Sequence, residues 1–350
     1  MSNYKSKKFI IESKLISNKI SNFLLKALVV GFGSIGKRHA NNLLKFSNMK
    51  VIICTSKKHS TYFKKKFKIV NSLTKGIEER PDFAIITNVT NAHVDTAIKL
   101  AKARIDLFIE KPLSNSLNRC KYLEDIVKKK KIVTMIGCNF RFDQSIKTIK
   151  KIVKQKRLGK IISIHVENGS YLPDWHPYED YRKGYSARSD LGGGVVFTNI
   201  HEIDYLYWIF GNVSEVSSVV GKFSHLEMDV EDLAEIIMKF KDKTIASIHL
   251  DHYQRPIFRQ CKIVGTNGTM IWDFRKSKLD VFNVREQRWK TIVRGKHIDL
   301  NLTYQKEIAH FIQCVKSRKK TINPLSEGIK TLKIVLSIMK SSKTKRMVSV

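Results

Sequence analysis

The chain lacks the marks of several protein classes. Its 350 residues include only 6 prolines and 17 glycines, which is no proline-rich or glycine-linker composition. The five cysteines, at 54, 120, 138, 261 and 314, are odd in number and form no C-x-x-C pair. This argues against a disulfide framework or a zinc site and for small buried thiols in a reducing, cytoplasmic setting. No metal site is expected. No stretch has the roughly 20 uninterrupted apolar residues that cross a bilayer, so no membrane partner is expected either. Acids are scarce: 31 Asp and Glu stand against 65 Lys and Arg, a net charge of +34.

That charge invites a nucleic-acid reading, which the pattern does not support. Lysine supplies 49 of the 65 basic residues, and Ile and Asn are also heavily used; this is the signature of a coding bias towards A and T. The lysines are spread along the chain, with small clusters at 64–66 and 128–131. There is no interleaving of aromatic and basic residues of the kind that binds single strands. Residues 1–25 read as a basic N-terminal extension in which Glu12, Lys14 and Lys19 interrupt any signal-peptide core.

What is present begins at Lys26–His39, KALVVGFGSIGKRH. An apolar run stops at Gly31-Phe32-Gly33-Ser34-Ile35-Gly36, predicting a buried strand, a tight turn and a helix start. Gly31 permits the turn, and Gly33 lets backbone N–H groups approach a pyrophosphate. Gly36 lets helix and strand pack closely, with Ser34 and Ile35 opening the helix. A second strand is predicted over Lys50–Cys54. Where an acid would bond a ribose 2′-hydroxyl, the chain has Thr55-Ser56-Lys57-Lys58. Hydroxyls and ammonium groups suit a 2′-phosphate, which favours NADP(H), with NAD(H) possible. Further strands end at Thr87-Asn88, followed by Asn91 and His93, and at Glu110-Lys111-Pro112. Strand and helix alternate, as in a parallel sheet covered on both faces. All these polar ends fall on one edge, the ligand edge of such a sheet. Helix Leu117–Lys130 and strand Ile132–Cys138 complete the predicted domain, 26–140. Arg141, just beyond it, suits either an anionic substrate group or a helix cap.

In the second domain, 141–350, helix Ile146–Leu158 and strand Ile161–Gly169 precede an irregular polar and aromatic segment, Tyr171–Asp190. Its His176, Glu179, Asp180, Tyr181, Arg182, Tyr185 and Arg188 are candidate substrate contacts, some of them structural. Leu191-Gly192-Gly193-Gly194 opens a helix predicted to run to Phe210. Seven strand-like stretches between Val213 and Val293, split by turn signals such as Thr266-Asn267-Gly268, predict an antiparallel sheet. Helices Leu302–Lys316 and Ser326–Ser341 follow.

The G-x-G-x-x-G turn, the Glu110-Lys111-Pro112 ending and the run from Gly192-Gly193-Gly194 to His201-Glu202-Ile203-Asp204 together resemble the Gfo/Idh/MocA oxidoreductases, over about residues 26–340. The stretch Asp174–Arg182 is similar to members found with surface-polysaccharide sugar genes. The resemblance implies a Rossmann N-terminal α/β domain and an α+β C-terminal domain with a large, mainly antiparallel sheet. It implies an NAD(P)-dependent enzyme acting on a sugar or sugar nucleotide, and a homodimer or homotetramer formed through that sheet. By carry-over Lys111 sits beside the nicotinamide and the reacting hydroxyl, and His201 is the acid or base. The family usually carries an aspartate one turn before the histidine; here the matching residue is Thr198, or Phe197 or Asn199 under a one-residue shift. Three outcomes are open: Lys111 and His201 suffice, a neighbour such as Asp180 or Tyr181 substitutes, or the protein is a catalytically weakened cofactor sensor or scaffold.

Overall fold

The structure is a computed structural model that describes residues 24–56, 61–295 and 299–350. Most of the basic extension, and Lys57 with Lys58, lie outside the described residues.

Six short strands form one parallel sheet: β1 (Leu25–Val30), β2 (Met49–Cys54), β3 (Lys68–Val70), β4 (Phe83–Ile86), β5 (Asp106–Glu110) and β6 (Thr134–Gly137). Their spatial order is β3-β2-β1-β4-β5-β6. Alternate residues bury opposite faces. Leu28, Ile52, Ala84, Leu107 and Ile136 join one core, while Val29, Ile53, Ile85, Phe108 and Met135 join another. That is why these strands read as continuous apolar runs. The connecting helices are α1 (Ser34–Leu43), α2 (Thr61–Lys66), α3 (Leu73–Glu78), α4 (His93–Lys102) and α5 (Cys120–Lys130). The edge strand β3 was not foreseen. Three residues paired on one side only, to β2, are too few to show a period. Helix α5 starts three residues later than expected, with Arg119 in the left-handed region (φ 58°) before it.

Helix α6 (Gln144–Lys154) is capped by Asp143, whose Oδ1 accepts from the N–H groups of Ser145 (2.8 Å) and Ile146 (3.0 Å). Then follow β7 (Ile161–Gly169), four single 3₁₀ turns between Leu172 and Leu191, and two helices, α7 (Val195–Thr198) and α8 (Ile200–Phe210). The expected single helix is thus broken at Asn199 (φ −96°, ψ 31°).

Eight more strands are β8 (Val213–Gly221), β9 (Leu233–Phe240), β10 (Ile245–Asp251), β11 (Phe258–Gly265), β12 (Gly268–Asp273), β13 (Lys278–Asn283), β14 (Arg288–Arg294) and β15 (Val348–Ser349). With β7 they form a nine-stranded sheet, β14-β13-β12-β11-β7-β10-β9-β8-β15. Every pair is antiparallel except β7 with β10. Helices α9 (Leu300–Ser317) and α10 (Leu325–Thr344) end the chain. Helix α9 returns to the first domain, where Phe311 packs edge-on against Phe83 (5.5 Å) and Phe108 (5.6 Å). Helix α10 lies on β8, with Ser218 Oγ donating to the Ile338 carbonyl (2.7 Å).

Candidate active site

The glycine turn joins β1 to α1. Gly31 has φ +96°, and a Cβ there would lie 2.7 Å from the backbone of Thr87 and Asn88. A Cβ on Gly36 would lie 2.3 Å from the Gly31 carbonyl oxygen. The turn is therefore held against both the next strand and its own helix, and only glycine fits either place. At Gly33 an added Cβ meets nothing within 4 Å. Gly33 is also the N-cap of α1, with no side chain bonded to the first turn and no acid in it. Uncapped N–H groups at a helix start, with open space before them, fit a pyrophosphate. Ser34 there is exposed and Ile35 half-buried.

The neighbouring strand ends close round this turn. Thr87 Oγ1 lies 3.0 and 2.9 Å from the carbonyls of Val30 and Gly31, to which it donates. Asn88 Nδ2 donates to Thr96 Oγ1 (3.0 Å). Thr55 is half-buried and its N–H bonds the Val70 carbonyl (3.0 Å), while Ser56 is exposed. No carboxylate follows β2 at these positions.

Several residues expected to touch ligand have other partners. Asn91 Nδ2 donates to the Asp190 carbonyl (2.6 Å), tying the loop after β4 to the irregular segment of the second domain. Glu110 is buried: its Oε1 lies 2.5 Å from His39 Nε2, and its Oε2 accepts the Lys111 N–H (3.1 Å). Sequence reasoning missed His39. Its signal was the spacing of Gly36, His39, Ala40 and Leu43, the buried face of α1.

Arg141 requires a correction. It is fully buried, and its Nε and Nη2 each donate over 2.8 Å to the carboxylate of Asp204, which is also buried. Nη1 donates to the Ile322 carbonyl (3.1 Å). With its fork closed on a carboxylate, Arg141 is a strut that ties the segment after β6 to α8 and is not an anion site. Asp180, Tyr181 and Arg182 likewise bond among themselves and their surroundings. Arg182 Nε donates to Asp180 (2.8 Å), Arg182 Nη1 to Glu227 (3.1 Å), and the Tyr181 hydroxyl accepts the Glu227 N–H (3.0 Å). They pin the irregular segment to the loop before β9.

At the end of β5 the half-buried Lys111 reaches across to the second domain. Its Nζ donates to the Thr198 carbonyl over 2.8 Å. That carbonyl is available because the helix breaks at Asn199; the Glu202 N–H turns to Asn199 instead (3.4 Å). The Thr198 hydroxyl is buried without a partner among the described residues, as is Nδ1 of His201. His201 packs against Phe140 (ring centroids 5.1 Å apart), and the Arg259 guanidinium covers that same ring at 4.0 Å. Arg259 in turn donates through Nε to Glu202 (2.7 Å), a fully buried acid. Burial, then the charges of Lys111 and Arg259, hold the His201 imidazole well below its usual pKa. It is neutral at pH 7. Asp180 accepts from the Arg182 N–H and guanidinium and shows no bond to His201 among the described residues. His252, at the end of β10, is also fully buried, and burial lowers it to about 4. No group of three or more His, Cys, Asp or Glu among the described residues is placed to hold a metal ion.

A dinucleotide turn on one domain, with a lysine beside it bonded to the short helix just before the histidine helix of the other, defines a two-domain oxidoreductase architecture. The chain belongs to the Gfo/Idh/MocA oxidoreductase family. Residues 25–138 match its NAD-binding Rossmann fold and residues 150–350 its C-terminal alpha/beta domain. Among curated relatives, myo-inositol 2-dehydrogenase of Thermotoga maritima is 26% identical, over 91% of this chain and 97% of that protein. Levoglucosan dehydrogenase of Pseudarthrobacter phenanthrenivorans is 23% identical, over 74% of this chain and 76% of its own. Among solved structures, a levoglucosan dehydrogenase complex with NADH and levoglucosan superposes with a TM-score of 0.84 at 18% identity, covering 93% of this chain and 99% of that one. The WlbA dehydrogenase of Bordetella pertussis, with NADH and UDP-GlcNAcA, gives 0.78 at 17%, over 93% and 98%. At such identities the superpositions establish the fold.

Proposed function

We propose that the protein is an NAD(P)-dependent dehydrogenase that oxidises a hydroxyl of a sugar or sugar nucleotide, or reduces the matching carbonyl. The observation that carries this reading is the meeting of Lys111 Nζ with the Thr198 carbonyl beside a buried His201. The dinucleotide, when bound, supplies the hydride acceptor or donor. The chain's own residues do the rest. The open start of α1 binds the phosphates. Lys111 donates to the substrate oxygen and steadies the negative charge it gains as the hydroxyl is oxidised. His201, neutral, accepts a hydrogen bond from the same hydroxyl and takes its proton. Burial, then Lys111 and Arg259, disfavour the imidazolium, so the proton does not stay on the ring but goes on to solvent water.

Inositol, levoglucosan and UDP-GlcNAcA in the names of the relatives support a polyhydroxylated substrate. Thr55 and Ser56, with no acid after β2, favour NADP(H); NADH in the related complexes favours NAD(H). Val219, Ile237 and Ile245, exposed among the described residues on the face of the large sheet away from its buried core, support assembly of a homodimer or homotetramer there. The test is a panel of inositols, levoglucosan, hexoses and UDP-sugars with each nicotinamide cofactor, followed by reduced-nicotinamide absorbance. Lys111→Ala should keep cofactor binding nearly intact and lower turnover at least about a hundredfold. Unchanged turnover sinks the assignment. Cofactor binding without turnover on any substrate favours a sensor or scaffold.

A further inference from the structure

The imidazole of His93 is fully buried at the start of α4, and both of its nitrogens face backbone carbonyls. Nδ1 lies 2.9 Å from the Pro112 carbonyl oxygen and Nε2 lies 3.0 Å from that of Asn88. These carbonyls belong to the two loops that border the dinucleotide edge: the one after β4, and the turn after β5 that carries Lys111. No side chain shares either contact among the described residues. We propose that His93 is a positioning residue for Lys111: a spacer between the two loops that holds the Lys111–Pro112 turn by an Nδ1–H···O=C bond.

The chemistry of the ring sharpens this. A neutral imidazole has one N–H and one lone pair. Facing two acceptors, it bonds one carbonyl and turns a lone pair towards the other; only the imidazolium bonds both. Burial opposes the imidazolium, and the nearby Glu110 carboxylate favours it. The ring therefore chooses between loops through its tautomer. With the proton on Nδ1, the lysine turn is held. With it on Nε2, the loop after β4 is held and the lysine turn meets only a lone pair. Among the described residues Lys111 has a single bond at its far end, to the Thr198 carbonyl, so the base of its side chain is fixed from the β5 side by this contact and by the hydrogen bond from the Lys111 N–H to Glu110 Oε2.

The inference rests on the reading of Lys111 as the catalytic lysine, but its test needs no substrate. Competitive acetylation of the full-length protein, read peptide by peptide, reports the reactivity of Lys111 against the exposed Lys290 in the same chain. His93→Leu should raise the relative labelling of Lys111 roughly fivefold, the weight of one ordinary hydrogen bond. His93→Gln, which keeps an N–H donor, should restore most of the protection. Labelling of His93→Leu at the wild-type rate, or equal labelling of the two variants, overturns the proposal. Should His93→Leu not fold, selectively 15N-labelled histidine in the wild-type protein decides: a protonated Nδ1 on His93 upholds the assignment, and a bare Nδ1 with a protonated Nε2 overturns it. Failure of the catalytic reading shows separately, as retained turnover in Lys111→Ala.

Discussion

Removing Asp204 should unfold this protein more readily without first altering its site. Arg141 and Asp204 have side chains 1% and 2% exposed and are joined by two bonds of 2.8 Å. The Thr331 hydroxyl adds a third contact to the carboxylate at 3.3 Å. Asp204→Ala leaves a buried guanidinium whose remaining direct contacts, among the described residues, are the Ile322 carbonyl and the Trp208 ring, whose centroid is 5.5 Å away. Breaking one side of such a pair costs about 3–5 kcal/mol, because the remaining charge is neither solvated nor matched. For a chain of this size that lowers Tm by roughly 5–15 °C. Replacing both, Arg141→Met with Asp204→Leu, removes the orphaned charge and should recover most of the loss, since an apolar pair of similar volume is close to neutral. Thermal unfolding of the four proteins forms a double-mutant cycle. A large loss in each single variant with recovery in the double fits a buried strut between the segment after β6 and α8. Unchanged Tm in Asp204→Ala together with weaker sugar binding in Arg141→Met would refute the reasoning and return Arg141 to the substrate.

Three other outcomes are expected. Thr198→Asp puts a carboxylate beside Lys111 and His201, which raises the affinity of the imidazole for protons; the acid limb of the pH–rate profile should move to higher pH, and a limb that stays put means that residue 198 does not act on His201. Ser56→Asp should weaken NADP(H) by about tenfold or more relative to NAD(H) through repulsion of the 2′-phosphate; an unchanged Kd ratio places the adenosine ribose elsewhere. His249 is raised to about 9 by its bonds to Asp251 and Glu235. A raised folded-state pKa gives stability that is complete below about pH 6.5 and is lost as pH rises towards 9, of order 1–2 kcal/mol after allowance for the solvent around Glu235. His249→Gln should flatten that part of the stability–pH curve, and a wild-type curve that is already flat from pH 6.5 to 9 contradicts the ion pair.

The sequence determined the elements that one local pattern suffices to specify. Strands β1, β4 and β5 are apolar runs because the parallel sheet buries both their faces, and Gly31–Gly36 is legible because a close approach of backbone to backbone leaves glycine no substitute. Spacing and residue types placed Thr87, Glu110 and Lys111 on one edge, since the ends of parallel strands share one. Tertiary structure decided what each polar side chain meets there. Arg141 and Asp204, or Glu110 and His39, are 63 and 71 residues apart, and no local pattern says that they bond each other rather than a ligand. The parallel pairing of β7 with β10 inside an otherwise antiparallel sheet was invisible for the same reason: register between strands about 80 residues apart in the chain is fixed by which faces pack, not by either strand alone. The break at Asn199 is the sharpest case. Gly192–Gly194 announced a helix, but only the fold shows that the helix stops after one turn, leaving the Thr198 carbonyl without a helical partner and within 2.8 Å of Lys111.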